Sequence, residues 1–94
     1  MDPRIEEHVK ILVEWSTEVK KGDMVGILAG PQAYDLVLAI TKHVAKAGGR
    51  PFSVLWTDEI SRAFFDGADD ETVQLFPKHI LALVESSDVI IAIN

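Results

Sequence analysis

The 94-residue chain contains no cysteine, which excludes a disulfide scaffold, a cysteine-ligated zinc finger and a cysteine nucleophile. It also lacks long hydrophobic runs. The most apolar stretches, Leu36-Val37-Leu38-Ala39-Ile40 and Val89-Ile90-Ile91-Ala92-Ile93, are far too short to span a bilayer, so no membrane partner is expected. Basic residues are few and scattered, nine Lys and Arg against fifteen Asp and Glu, for a net charge of -6. Nucleic-acid surfaces depend on clustered cations that release phosphate counterions, so no nucleic-acid partner is expected either. The opening Met1-Asp2-Pro3-Arg4-Ile5-Glu6-Glu7 has no basic segment followed by an apolar one. That argues against a secretory signal and makes the cytoplasm the expected location.

What is present suits one hydrophobic core. The hydrophobic fraction is 48%, and a chain of this length holds a single domain, residues 1–94. An N-terminal helix is predicted, with Asp2 as its cap, Pro3 at its first position, Glu6 and Glu7 at the positive end of its dipole and Lys20-Lys21-Gly22 closing it. Ile5, Val9, Leu12, Trp15 and Val19 make its apolar stripe. The continuous run Met24-Val25-Gly26-Ile27-Leu28-Ala29 has the form of a strand covered on both faces, and Gly30-Pro31 ends it. Ala33, Leu36, Val37, Ile40, Val44 and Ala47 line a second helix that stops at Gly48-Gly49.

Pro51 opens a second strand, Phe52-Ser53-Val54-Leu55-Trp56, separated from the first by a crossover of the length parallel pairing requires. A short helix is expected over 61–65. Pro77 divides 70–86 into two helical pieces, the second burying Ile80, Leu81, Leu83 and Val84. The β-branched run 89–93 reads as an interior parallel strand. The expected class is α/β, a three-layer, Rossmann-like domain with a short parallel sheet of about three strands in the order 2-1-3, flanked by helices. No repeat or low-complexity tract interrupts it. Ligands of open α/β sheets collect beyond the carboxyl ends of the strands, so a chain closing on a strand is expected to be the N-terminal piece of something longer.

Complete catalytic signatures are absent. G-x-S-x-G does not occur, and neither do G-x-G-x-x-G, the P-loop or H-E-x-x-H. Gly30, at a strand-to-helix junction, is an anion-binding candidate, although Pro31 removes one backbone donor from the site. Asp58 and Glu59 follow the second strand, where dinucleotide folds place an acid on the ribose. They also belong to an acidic group with Asp66, Asp69, Asp70 and Glu71 that reads as a solvated connection. His8, His43 and His79 fall on three different elements without metal-ligand spacing and read as surface residues, while Trp15 and Trp56 read as core.

The order of segments carries a resemblance. Val19-Lys20-Lys21-Gly22-Asp23-Met24-Val25-Gly26-Ile27, then Ala45-Lys46-Ala47-Gly48-Gly49, then Val54-Leu55-Trp56-Thr57-Asp58-Glu59-Ile60-Ser61-Arg62 resembles the opening of the thermophilic metalloaminopeptidases of the AmpS and PepS type, over essentially the whole chain. The resemblance implies an exopeptidase that removes N-terminal amino acids from peptides. It further implies two divalent metal ions of zinc or cobalt type and a homodimer of two-domain subunits, with the metal site in the C-terminal domain. The family's glutamate, histidine, tyrosine and aspartate ligands have no matching positions here, so no catalytic or metal residue is assigned and the chain alone is expected to be inactive. Trp56, Asp58, Glu59 and Arg62 match the family pattern and are the substrate-cleft candidates. The alternatives are a Rossmann-like nucleotide or small-ligand module using Gly30 and Asp58, and a non-catalytic interaction domain.

Overall fold

The computed structural model of the chain describes residues 18–93. Three apolar runs form its sheet, β1 (Met24–Ala29), β2 (Arg50–Leu55) and β3 (Val89–Ile93). All pairs are parallel and the order is β2-β1-β3, as the hydrophobic pattern predicts. A 3-10 turn (Pro31–Ala33) leads from β1 into α1 (Tyr34–Lys46). Three helices join β2 to β3: α2 (Asp58–Gly67), α3 (Asp70–Val73) and α4 (Lys78–Ser86). With β1 in the middle, the two crossovers run in opposite directions. Right-handed connections therefore place α1 on one face of the sheet and α2 to α4 on the other.

Side-chain alternation along the strands divides the packing between those faces. Val25, Ile27 and Ala29 of β1 and Ile91 of β3 are buried with Val37, Ile40 and Val44 of α1, and Val19 joins the same core. Gly26 points the other way. A Cβ at that position would lie 3.3 Å from the Ser87 hydroxyl oxygen and 2.9 Å from Ile90 Cδ1, so the missing side chain lets the end of α4 close on the sheet.

The N-terminal edge of the sheet is tightly bonded. Met24 N–H donates to the Asp88 carboxylate at 2.8 Å while Asp88 N–H donates to Met24 O at 2.7 Å, a reciprocal pair that fixes where β3 starts. Arg50 N–H donates to Asp23 O at 2.7 Å and Gly22 N–H to Gly48 O at 2.8 Å. Gly48, at φ 91°, ends α1 in the left-handed conformation glycine tolerates best.

Several expectations change. The predicted N-terminal helix lies outside the described residues apart from 18–22, which are not helical: Glu18 has φ 55°, and Val19 is buried from an irregular segment rather than from a helical stripe. His43, expected on the surface, is 8% exposed, and its Nδ1 has no hydrogen-bond partner among the described residues. It sits one turn after Ile40, which widens the buried stripe of α1. The helix expected over 61–65 begins at Asp58 because Thr57 caps it, its Oγ1 accepting from Ile60 N–H at 3.0 Å. Trp56 lies one residue beyond β2 and is 50% exposed rather than core. The expected buried face of α4 is also open, with Ile80, Leu81 and Val84 all exposed, because no described element packs over it. The acidic segment is a set of helix starts rather than a loop: Asp58 and Glu59 open α2, Asp69 caps α3, and Asp70 and Glu71 fill its first turn.

Candidate functional site

The opposite edge of the sheet, at the carboxyl ends of the strands, is a crevice of about 540 Å³. Each element contributes through its last residues. Leu28, Ala29 and Gly30 come from the end of β1, Ala92 and Ile93 from β3, and Trp56 through Glu59 from the junction of β2 with α2. Parallel strands deliver all three chain exits to the same side, and the outward movement of the crossovers leaves space above the central strand.

Local bonding fixes the walls. Trp56 N–H donates to Ala29 O at 3.2 Å and extends the β1–β2 ladder one residue past the strand. The chain then turns into α2 at Thr57, so Asp58 and Glu59 stand in the first helical turn on the crevice wall. On the facing wall Gly30 is extended, at φ -81° and ψ 163°. The backbone there needs no glycine, and the space a Cβ would fill is taken by the end of the flexible Gln32 side chain, whose oxygen lies 2.7 Å from that point. The Gln32 amide thus lies across Gly30. Pro31 contributes no N–H, and Ala33 N–H is engaged with Gly30 O at 3.1 Å. The polar group this wall presents is the Gln32 carboxamide.

Gly30, Trp56, Asp58 and Glu59 therefore share one crevice, and Arg62 lies outside its lining, a turn further along α2. Two of the lining residues, Gln32 and Thr57, were not singled out from the sequence. Thr57 carried a usable signal, a hydroxyl residue directly before two acids, which is a helix start. Gln32 carried none, because its role depends on folding back over Gly30.

The donor set does not fit a pair of divalent metal ions. No group of three or more His, Asp or Glu residues converges among the described residues. Asp58 and Glu59 supply two carboxylates on adjacent helical positions, which point in different directions. His43 is buried with the α1 core, away from the crevice lining. What the crevice can do is hold a polar, hydrogen-bonding or positively charged group between an indole, a carboxamide and two carboxylates.

A second, apolar groove of about 800 Å³ adjoins it, between α2, α3 and α4. Ile60, Phe64, Phe65, Leu75, Phe76 and Ile80 form its floor. The Phe64 and Phe65 rings meet edge to face at 5.4 Å. Trp56 belongs to both the crevice and the groove.

Comparison with known proteins matches this architecture. Among solved structures, the chain is similar to wild-type AmpT from Thermus thermophilus, with a TM-score of 0.76 and 17% sequence identity. The match covers 96% of this chain and 24% of that one, so the chain spans about a quarter of the length of that relative. No curated protein sequence matches it. The sequence matches the thermophilic metalloprotease (M29) family along its whole length, residues 1–94, and the chain belongs to that family.

Proposed function

We propose that the chain is the N-terminal, non-metal-binding α/β part of a metal-dependent aminopeptidase that releases N-terminal amino acids from peptides. The observation that carries this reading is the family match over all of residues 1–94, joined to a strand-end crevice without a metal-ligand cluster among the described residues. In a two-metal hydrolase the ions polarise the scissile carbonyl and activate water, which needs several carboxylates and imidazoles converging on one point. That donor set belongs to the remainder of such an enzyme. The part played by these residues is to form one wall of the substrate cleft, with Asp58 and Glu59 favouring a protonated amine and Trp56 an apolar side chain. A homodimer of two-domain subunits in the cytoplasm is part of the same reading.

The test compares purified residues 1–94 with the longer polypeptide that contains them. Amino acid release from short unblocked peptides, followed with added zinc or cobalt and again after chelation, is expected only from the longer form and only with metal. Metal-stimulated turnover that tracks residues 1–94 alone through purification overturns the proposal. The alternative nucleotide-binding reading is favoured instead by nucleotide affinity that disappears in Asp58→Ala.

A further inference from the structure

The helices α2, α3 and α4 contain no buried residue, although their sequence is rich in large apolar side chains. Leu75 is 70% exposed and Phe76 64%, both at the floor of one groove. A contiguous apolar surface of this kind marks a contact site. None of the residues lining the groove is Asp, Glu, Lys or Arg. Depletion of charge at the centre and enrichment of aromatic residues are the marks of a permanent interface, one that resembles a domain core cut in half.

Charge decides between occupants. The segment 58–86 carries seven acidic residues (Asp58, Glu59, Asp66, Asp69, Asp70, Glu71 and Glu85) against two basic ones (Arg62 and Lys78), a net -5 out of the chain's -6. The uncharged groove is therefore carried by an acidic segment. Two copies joined through this face would be related by a two-fold axis and would set one acidic segment against another. The complementary surface is an apolar knob ringed by Lys and Arg. Ile93 at the end of β3 and Trp56 just past β2 line one crevice on either side of β1, and Trp56 also lines the groove, so polypeptide leaving β3 starts at the same strand-end edge as that wall of the groove. About three-quarters of the solved relative's chain falls outside the matched part, which is ample material to fill the groove.

We infer that the groove between α2, α3 and α4 is the seat of polypeptide that follows residue 94, and that it receives an apolar, basic-rimmed surface of that downstream part. The inference rests on the proposed reading of the chain as part of a larger enzyme and adds the face through which its parts join.

The absence of cysteine allows a clean test. Ser61→Cys places a thiol in the groove and Lys42→Cys places one on the outer face of α1. Both variants are made in the longer polypeptide and labelled with a thiol-specific reagent at several protein concentrations. The groove thiol is expected to react about tenfold or more slowly than the control, as befits a closed interface, and its rate is expected to be independent of concentration. Equal rates at both positions overturn the inference. Protection that disappears on dilution assigns the groove to a second copy and overturns it as well. Peptidase activity is measured on the same samples. An active, metal-dependent enzyme with a reactive groove thiol removes the inference and leaves the proposed function standing, while a protected thiol in a protein without peptidase activity does the reverse.

Discussion

The β1–α1–β2 unit and the helical stretch that follows it are held together by different means. In the first, apolar side chains are hidden from water: Ile27, Ile40 and Val44 are completely inaccessible, and glycines at both ends of α1 close its turns. In the second, no residue of the helices is buried and local capping does the structural work, through Thr57 for α2 and Asp69 for α3. The first unit, with Val19 and Ile91, closes a core, whereas the second offers half of one. A helical segment with strong caps and an uncovered apolar face is built to be completed by something else.

Truncation of matched aliphatic residues gives the largest contrast. Ile40→Ala removes a side chain with 0% exposure and is expected to destabilise the chain by about 2–5 kcal/mol, through lost burial and a residual cavity. Ile80→Ala, at a position 47% exposed, is expected to cost under about 1 kcal/mol when residues 1–94 are unfolded with urea. Equal losses at the two positions would erase the distinction. Performed in the longer polypeptide, the same pair sharpens it, since Ile80→Ala becomes costly there once the groove is filled.

A smaller contrast comes from glycine. Gly48 has φ 91°, and a Cβ there would meet the Lys21 backbone at 3.0 Å, so Gly48→Ala is expected to cost more than about 1 kcal/mol. At Gly67, the last residue of α2, a Cβ has nothing within 4 Å and no positive φ to accommodate. Gly67→Ala is therefore expected to be neutral or to stabilise by up to about 1 kcal/mol. Thermal unfolding followed by circular dichroism reads both signs. A destabilising Gly67→Ala would show that α2 already packs against something in this chain.

The smallest expected effect is a pH dependence at Asp69. The Thr72 hydroxyl, and then the Thr72 backbone N–H at 2.8 Å, hold its carboxyl below the ordinary aspartate value. The folded state therefore binds this proton less readily than the unfolded state does. The contribution of the cap is fully present above the unfolded aspartate value and fades as pH falls through that value to the lowered folded one. A carboxyl-detected NMR titration should find Asp69 protonating below the ordinary aspartate value. Protonation of Asp69 at or above the usual aspartate value would mean that the α3 cap is not formed.

Much of the fold was readable in the residues, and the exceptions have physical causes. β1 and β3 fall on their predicted residues because an uninterrupted apolar run between turn signals admits little else, and their parallel order follows from the crossover lengths. β2 starts at Arg50, one residue before the Pro51 expected to open it, and Arg50 and Pro51 pair with Met24 and Val25 despite the missing proline donor. That mismatch is tolerated on an edge strand. His43 misled because helical spacing alone cannot say whether a polar residue beside an apolar stripe is hidden. α4 misled in the opposite sense. Its apolar pattern is real, but a pattern records what a segment is suited to bury, not whether its partner is among the described residues.

The candidate site divides along the same line. Gly30, Asp58 and Glu59 could be located because the ends of parallel strands converge, which is a property of topology. The way Gln32 folds over Gly30, and the exclusion of Arg62 from the crevice, depend on side-chain direction that only the folded chain fixes.

Trp56 stands in the wall of both the polar crevice and the apolar groove. One indole thus serves two surfaces of opposite character, so a truncation such as Trp56→Ala widens the opening at the strand ends and strips apolar area from the helices in a single step.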